Sequence, residues 1–236
     1  MNERGDGSRS DGRVGVAVPA AGSGTRMGGV RKAFLEIAGR PMLTHALRPF
    51  LGDPRVVCVV VALAADDAES PPEWLMELDE RIRIVVGGDT RSQSVRRALQ
   101  AMPEDVDVIA VHDAARPLVS TETVTECFDV AMSGLGAVAG CPTVDTMKRV
   151  NSEYRIVETP DRSSLWRAQT PQVFPASVLR AAYADDSLEG TDDAALVEKT
   201  GQAVRVVDAG PWNIKVTHPQ DIVVAAAVLM HRLETA

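Results

Sequence analysis

Residues 55–63 of this chain read RVVCVVVAL and form the strongest predicted strand of the sequence. An unbroken apolar run rich in β-branched residues, without polar alternation, is typical of a parallel strand that is buried on both faces. Shorter apolar runs occur at residues 14–18, 82–86 and 106–111. We therefore expect these segments to be neighbouring strands of one buried sheet.

Helix signals lie between and after these runs. Residues 91–102 follow Asp89 and Thr90, either of which can supply an N-cap, and residues 41–51 carry a proline in the first turn. Further predicted helices begin at Pro71-Pro72, Thr121, residue 175, Thr191-Asp192 and Pro219, and further predicted strands lie at residues 136–141, 203–208 and 213–217. Because strands and helices alternate with short loops, we predict an α/β fold: a Rossmann-like, mostly parallel sheet with helices on both faces.

Residues 143–159 depart from this alternation of strands and helices. Apolar and polar residues alternate there with a period of two, and Asn151-Ser152-Glu153 in the middle has the composition of a tight turn. This pattern predicts a two-stranded β-arm at about residues 143–160. We expect residues 13–236 to form a single domain that carries this arm, preceded by a solvated, disordered tail at residues 1–12.

Composition and charge exclude several classes of protein. With 25 basic and 33 acidic residues, the net charge is −8, which argues against a broad nucleic-acid-binding surface but allows a small anionic substrate. The three cysteines form no C-x-x-C pair, so we expect buried free thiols in a reducing cytosol, not a disulfide scaffold or a zinc site. No apolar run approaches the roughly 20 residues that span a bilayer, and the N-terminus lacks a signal-peptide core. A cytoplasmic location is expected, with neither membrane nor nucleic acid as a partner.

Three loops that follow predicted strands carry chemically reactive or charged residues, where open parallel sheets bind ligands. They are the glycine-rich loop at 19–29, GGDTRSQS at 87–94 and HDAARP at 112–117. The first begins like a dinucleotide fingerprint at Gly22-Ser23-Gly24, but Met27 replaces the third glycine and no Walker A lysine follows. Arg26 and Lys32 instead favour a more highly charged ligand, such as a triphosphate. The alternative is a solvated surface turn.

Other candidate residues have competing interpretations. Asp113 suits Mg²⁺, which commonly takes one or two carboxylates plus substrate phosphates, but it could also cap the next turn or pair with Arg116. His112 is as readily structural as functional. Thr191-Asp192-Asp193 is most simply a helix cap. Lys215, within the predicted strand 213–217, is either exposed at a sheet edge or held at a polyanion.

Taken together, these motifs resemble those of the 2-C-methyl-D-erythritol 4-phosphate cytidylyltransferases of the non-mevalonate isoprenoid pathway. The matches are spread in order over about residues 14–230: PAAGSGTRM at 19–27, Lys32, GGDTRSQSV at 87–95, HDAARP at 112–117, DTMKRV at 145–150, DRSSLWRAQTPQVF at 161–174, TDDAAL at 191–196 and NIKVT at 213–217. The resemblance implies a nucleotidyltransferase-type fold and a homodimer. It also implies transfer of CMP from CTP to the methylerythritol phosphate by in-line attack at the α-phosphorus, with Mg²⁺ as cofactor.

The resemblance also implies a role for individual residues of this chain. The implied catalytic residues are Arg26, Lys32 and Lys215. The implied CTP-binding residues are Ala20, Ala21, Gly22, Ser23, Gly24, Thr25, Gly88, Asp89, Ser94 and Ala114. The implied acceptor-binding residues are Asp113, Arg116, Thr146, Arg162 and Thr191. Asp113 is also the implied metal ligand, and Thr146 and Arg162, on or beside the arm, would reach the partner subunit's site.

The sequence departs from the family pattern at two positions. Ala33 stands where many relatives have glutamine, and Trp212 where they often have a small or acidic residue, which leaves open whether a second carboxylate helps Asp113 hold a metal. The nearest alternative is a cytidylyltransferase acting on ribitol 5-phosphate or a related polyol phosphate. A non-catalytic CTP-binding regulator is disfavoured because the candidate cations and Asp113 are retained, and an NAD(P) oxidoreductase is disfavoured by Met27.

Overall fold

The computed structural model describes residues 12–22, 31–185 and 190–234 of the chain. Its strands, in chain order, are β1 (Val14–Pro19), β2 (Glu36–Ile37), β3 (Arg40–Pro41), β4 (Val56–Leu63), β5 (Ile82–Val86), β6 (Val108–Val111), β7 (Gly136–Pro142), β8 (Arg149–Val150), β9 (Ile156–Glu158), β10 (Trp166–Pro175) and β11 (Val204–Asp208). Its α-helices are α1 (Met42–Leu51), α2 (Ala65–Glu69), α3 (Glu73–Met76), α4 (Arg91–Gln100), α5 (Thr121–Met132), α6 (Ala176–Ala184), α7 (Asp193–Glu198) and α8 (Pro219–Glu234).

A seven-stranded sheet forms the centre of the fold, in the order β11-β7-β10-β6-β1-β4-β5. Neighbouring strands run parallel except at β10, which is antiparallel to both β6 and β7. Two short antiparallel pairs, β2–β3 and β8–β9, lie outside this sheet. The predicted mostly parallel α/β sheet with a separate two-stranded element is therefore confirmed.

The strand β4 shows why the sheet needs helices on both faces. Val59, Val61 and Leu63 pack into an apolar cluster with residues of α1 and α5. Cys58 and Val60, which point the other way, pack into a second cluster with residues of α4, α6 and α7. Because successive side chains of a strand alternate between the two faces, a strand covered on both sides must be apolar at every position.

The order of the strands brings the predicted loops to one edge of the sheet. The central strand β1 pairs with β4 on one side and with β6 on the other. Strands β4 and β5 are therefore added on one side of β1, and the next strand, β6, is added on the other side. In parallel sheets such a reversal of strand order opens a crevice at the carboxyl ends of the strands. The segments that follow β1, β5 and β6 therefore converge there.

The structure corrects the predicted strand at residues 213–217, which forms no ladder. Val216 donates its N–H to Ala115 O at 2.8 Å, and the side-chain Nδ2 of Asn213 donates to Thr170 O at 2.9 Å. Isolated hydrogen bonds of this kind attach the segment to the loop after β6 and to β10. The apolar alternation of these residues reflects burial of Val216, not strand pairing.

The strand β10 was not predicted, because its sequence WRAQTPQVFP is rich in polar residues and contains prolines. Its ladder with β7 shifts register between Ala168 and Gln172, around Pro171. The short elements β2, β3 and α2 were also not predicted. The helix predicted to run from Pro71-Pro72 to residue 79 is shorter, spanning Glu73–Met76.

The longest described helix, α8, packs beside the short strand β2, outside the central sheet. Its residue Ala225 is fully buried in a small apolar cluster with Ile37, Met42, Leu118 and Val216. No helix in the described part of the chain has the length and apolar character needed to cross a membrane.

All three cysteines are buried and free, as predicted. Burial raises the pKa of the Cys127 thiol to about 12, so this side chain stays protonated and acts as a small apolar core residue.

Candidate active site

A cavity of about 620 Å³ lies at the carboxyl ends of β1, β4, β5 and β6. It is lined by Pro19, Ala20, Ala21, Gly22, Lys32, Ala33, Met42, Ala64, Ala65, Gly87, Gly88, Asp89, Thr90, Arg91, Ser94, Asp113, Ala114, Ala115 and Lys215. Alanine and glycine make up much of the wall, so a ligand can approach the backbone closely. The charged side chains are few, and they come from distant parts of the sequence.

The turn after β5 forms one side of the cavity and requires glycine. Gly87 donates its N–H to Leu63 O at 2.6 Å, which draws the turn close to the end of β4. A Cβ atom on Gly87 would lie 2.4 Å from Ala21 Cβ, and one on Gly88 would lie 2.3 Å from Gln93 Cβ. Both distances are too short for carbon atoms, so larger residues would push the turn out of the cavity wall.

The same turn is held by the start of α4. Of the two predicted caps, Thr90 is the N-cap: its side chain accepts from Gln93 N at 3.1 Å, and Gln93 Oε1 accepts from Asp89 N at 2.8 Å. Ser94 Oγ accepts from Gly88 N at 3.1 Å. Reciprocal caps of this kind satisfy backbone groups that the first helical turn leaves unpaired. The backbone of Gly88 and Asp89 is thus presented in a fixed geometry.

Asp113 in the cavity wall faces three cationic side chains. Its Oδ1 accepts from Arg91 Nε at 2.9 Å, its Oδ2 lies 2.7 Å from Lys215 Nζ, and Arg116 Nε is 3.7 Å from Oδ2. Burial by itself raises the pKa of Asp113, but the positive charges of Arg91 and Lys215 outweigh burial and hold it well below its usual range. The carboxylate is therefore ionised at any physiological pH.

Lys215 projects from the segment that was predicted to be a strand. Its side chain is 42% exposed, unlike that of Asp113, which is 9% exposed. Of the two alternatives for this lysine, the structure therefore rejects an isolated sheet-edge position. Lys215 lies at the cavity, paired with an anion and still accessible to a ligand.

The interpretation of Thr191-Asp192-Asp193 as a simple cap was only partly right. Asp192 is the N-cap of α7, and its side chain accepts from Ala195 N at 2.9 Å. Asp193 is instead fully buried and accepts two hydrogen bonds from Arg91, at 3.1 and 2.7 Å. Arg91 thus bridges Asp193 and Asp113. The sequence analysis gave Arg91 no role and gave Asp193 only that of a helix cap.

His112 and Arg116 lie behind the cavity wall. His112 is fully buried, with Nδ1 3.1 Å from Thr170 Oγ1 and Nε2 3.1 Å from Arg116 O. Burial lowers its pKa from 6.5 to about 4, because the low-polarity surroundings oppose the imidazolium charge. Of its two interpretations, the structural one holds. Arg116 donates from Nη1 to Asn213 O at 2.8 Å, which ties the loop after β6 to the segment that carries Lys215.

The cavity brings together many of the predicted site residues: Ala20, Ala21, Gly22, Lys32, Gly88, Asp89, Ser94, Asp113, Ala114 and Lys215. Thr191 is exposed and is not among the residues that line it. Thr146 and Arg162 are also exposed and lie outside the lining of this protomer's cavity. Ser23, Gly24, Thr25 and Arg26 fall outside the described residues.

The sequence profile of the 2-C-methyl-D-erythritol 4-phosphate cytidylyltransferase family matches residues 14–231, a span that includes every segment lining the cavity. The chain belongs to this family. It is accordingly an enzyme, a nucleotidyltransferase, as the resemblance implied.

Individual relatives match almost end to end. The family member from Synechococcus sp. (strain WH7803) is 42% identical over 221 residues, covering 92% of this chain and 99% of the relative. The crystal structure of the family member from Thermus thermophilus has a TM-score of 0.77 and 35% identity, covering 92% and 98%. The 4-diphosphocytidyl-2C-methyl-D-erythritol synthase of Anaerococcus prevotii has a TM-score of 0.82 and 27% identity, covering 93% and 97%. All three names refer to methylerythritol, and none supports the ribitol phosphate alternative.

The two departures from the family pattern lie in different surroundings. Ala33 is buried and lines the cavity beside Lys32, whereas Trp212 is 55% exposed and does not line it. The acidic residues among the described cavity lining are Asp89 and Asp113.

One weak signal in the sequence could have revealed Asp193. Asp193, Leu196 and Val197 have the i, i+3, i+4 spacing of one helix face, and the last two are apolar. A carboxylate on that face is buried, and a buried carboxylate needs a cation. The sequence does not say which of its many arginines supplies it.

Proposed function

We propose that this cavity transfers CMP from CTP to 2-C-methyl-D-erythritol 4-phosphate, giving 4-diphosphocytidyl-2-C-methyl-D-erythritol and pyrophosphate for isoprenoid precursor biosynthesis. The observation that carries the proposal is the convergence of Lys32, Asp113 and Lys215 with the Gly87–Gly88 turn in one cavity of a member of this family. The buried free thiols fit a reducing cytoplasm, which we propose as the location.

The glycine-rich side of the cavity is the proposed CTP site. Its wall of Ala20, Ala21 and Gly22 faces the backbone of Gly88 and Asp89, so base and ribose can be read by backbone groups. We assign the same role to Ser94 through its hold on Gly88, and to Ala114, Ser23, Gly24 and Thr25. Lys32 and Arg26 are the proposed cations for the phosphates.

The Asp113 side of the cavity is the proposed acceptor site. Lys215 Nζ lies 2.7 Å from Asp113 Oδ2, and the lysine side chain is also exposed to solvent. Lys215 can therefore bind a phosphate of the acceptor. We assign Arg116 to this site from behind the cavity wall, through its contacts with Asp113 and Asn213, and we propose the exposed Thr191 as a further acceptor-binding residue.

The remaining acceptor ligands are proposed to come from a second subunit. The arm residues Val144, Tyr154 and Ile156 are 69%, 88% and 62% exposed, which is unusual for apolar side chains of one hairpin. We propose that residues 13–236 form one domain and that the arm, at about residues 143–160, covers a homodimer interface. Thr146 and Arg162 would then serve the partner's site.

Mg²⁺ is the proposed cofactor. Within the described residues there is no cluster of three or more His, Cys, Asp or Glu side chains suited to a metal. The cavity therefore fits an ion that arrives with the nucleotide and takes most of its ligands from phosphate oxygens, with at most one or two protein carboxylates. We propose Asp113 as that carboxylate. When bound, the ion would neutralise charge on the phosphate oxygens.

In the proposed mechanism, an acceptor phosphate oxygen attacks the α-phosphorus of CTP in line, and the bond to the pyrophosphate oxygen breaks. No general base is required, because a phosphate monoester is already ionised near neutral pH. Lys32, Arg26 and Lys215 stabilise the negative charge that develops on the non-bridging and leaving oxygens. Catalysis then consists of positioning and charge stabilisation.

The test is a pyrophosphate-release assay on the purified protein with CTP and Mg²⁺, offering methylerythritol phosphate and ribitol 5-phosphate in parallel, with product masses measured. Turnover with methylerythritol phosphate alone, giving the CDP adduct, is the expected result. Turnover with ribitol 5-phosphate alone would overturn the acceptor assignment while keeping the chemistry. CTP binding without turnover of either acceptor would overturn the enzymatic assignment.

A further inference from the structure

A buried chain of polar groups runs from α6 to the cavity. The Tyr183 hydroxyl donates a hydrogen bond to Asp193 Oδ1 at 2.5 Å, and the Asp193 carboxylate accepts hydrogen bonds from both Nη atoms of Arg91. Arg91 then donates from Nε to Asp113 Oδ1. Three helices, α6, α7 and α4, are thereby linked in series to Asp113, and only Arg91 of α4 contacts that carboxylate directly.

Stability alone does not account for this chain of polar groups. Asp193 has no exposed surface, and removing a carboxylate from water costs several kcal/mol even when it is paired. A well-packed apolar side chain in its place is often as stable or more so. A bidentate contact with a carboxylate does, however, orient the arginine, because two parallel hydrogen bonds fix both the direction and the rotation of the planar guanidinium.

Tyr183 stays protonated, which suits a side chain that helps to orient Asp193 and Arg91. Burial raises the pKa of its hydroxyl well above the usual range, and the negative charge of Asp193 raises it further. Tyr183 therefore remains a hydrogen-bond donor to Asp193 and binds the same oxygen, Oδ1, that accepts from Arg91 Nη1.

We infer that Asp193 and Tyr183 are positioning residues, which fix Arg91 so that it holds Asp113 with Oδ2 facing Lys215. This inference rests on the proposed function of the cavity. All three nitrogens of the Arg91 guanidinium contact Asp113 or Asp193, so Arg91 acts through Asp113.

Asp113 depends on Arg91 because its other contacts are weaker constraints. Lys215 is a flexible side chain with 42% exposure, and Arg116 Nε is 3.7 Å away. Without a fixed Arg91, the carboxylate is free to turn toward either cation. Displacements of about 1 Å in a site of this kind cost up to about 10²-fold in rate.

The first test measures turnover, KM for CTP and thermal unfolding of three variants. Asp193→Asn is expected to lower kcat by about 10- to 100-fold and Tyr183→Phe by about threefold to tenfold, with KM for CTP changed less than kcat. Asp192→Asn is the matched control, because Asp192 caps α7 and accepts from Gln172, whereas Arg91 contacts the neighbouring Asp193. Asn caps a helix about as well as Asp, so the variant should keep kcat within about threefold, and any fall in its unfolding temperature should come from the lost bond to Gln172.

A double-mutant cycle distinguishes positioning from a general structural role. In the Arg91→Ala background, Asp193→Asn should have little further effect on kcat, because the residue through which it acts is absent. An equal loss of kcat in both backgrounds would overturn the inference. If Asp193→Asn does not fold, Tyr183→Phe replaces it in the double-mutant cycle. An equal loss of kcat with and without Arg91 would again overturn the inference.

The exchange of the Arg91 Nε proton with water, followed by nitrogen-15 NMR near neutral pH, needs no turnover, so it separates this inference from the proposed function. In the wild type all three nitrogens of this guanidinium are hydrogen-bonded, which should slow the exchange. If Asp193 fixes Arg91, Asp193→Asn should speed the exchange by about tenfold or more, and Asp192→Asn should leave it unchanged. An unchanged exchange rate in Asp193→Asn would refute positioning. A wild-type enzyme without turnover refutes the proposed function whatever the exchange rate is.

Discussion

Asp113 in the cavity wall contacts Arg91, Lys215, Arg116 and Thr170, which come from four separate segments of the chain. Ile156 in the β-arm, by contrast, leaves 62% of its surface exposed. The cavity wall holds its charged groups inside the protomer with their partners. The arm holds its apolar groups outside, and its ion pair Arg149–Glu158 is exposed on both sides.

The difference separates what one protomer builds alone from what it leaves for a partner. A buried carboxylate is stable only with its cations in place, so the geometry around Asp113 is set when the chain folds. An exposed apolar hairpin gains little from folding alone and gains more when a second surface covers it. The following predictions test this contrast.

Removing a cation from the cavity should have the largest effect. We expect Lys32→Ala and Lys215→Ala each to lower kcat by about 10²- to 10³-fold, as for the loss of one donor that stabilises transition-state charge. Lys199→Ala, at the end of α7 away from the cavity, is the control and should keep wild-type turnover. Near-normal turnover by a folded Lys32→Ala protein would contradict the proposed mechanism.

The neutral, buried His112 should make the cavity wall sensitive to acid. Its pKa is lowered to about 4 in the folded state, against about 6.5 when exposed, so the unfolded state binds its proton more tightly. Its contribution to stability is present above pH 6.5 and is lost as the pH falls toward 4, by at most about 3 kcal/mol. Unfolding free energies measured between pH 7 and pH 4 should fall less steeply for His112→Gln; an unchanged slope would refute this.

The close approach at Gly87 offers a matched pair of glycines on the same cavity. Gly87→Ala places a Cβ 2.4 Å from Ala21 Cβ and 3.2 Å from Leu63 O, whereas a Cβ at Gly22 meets nothing within 4 Å. We expect Gly87→Ala to cost about 1–3 kcal/mol in unfolding free energy and to raise KM for CTP. Gly22→Ala should change stability far less. Similar losses in both variants would show that backbone freedom, not crowding, requires these glycines.

A substitution in the arm should weaken association between protomers and leave the stability of each protomer nearly unchanged. Ile156→Asp should weaken self-association in sedimentation experiments while changing protomer stability by only about 0.5 kcal/mol, as is usual for exposed positions. Leu233→Asp is the control, because Leu233 is also exposed, at 77%, but lies on α8. If both variants associate like the wild type, the arm is not the interface.

Local patterns were sufficient for the parts of the fold in which neighbours in sequence act on each other. The apolar run of β4, the cap at Thr90 and the turn at Asn151-Ser152-Glu153 all depend on residues a few positions apart. The cavity itself was predictable because its loops follow successive strands, and parallel strands end at the same edge. The family motifs located most of its lining.

Contacts between distant segments were decided by the tertiary structure alone. Arg91 and Asp193 are 102 positions apart, and no local pattern pairs them: they meet only where the fold brings the first residue of α4 to the first residue of α7. Residues 213–217 have strand-like composition but form no ladder. Isolated hydrogen bonds to Ala115 and Thr170 hold them instead, with Lys215 at the cavity. Sequence patterns report which side chains must be buried, whereas the order of the strands sets which buried groups meet.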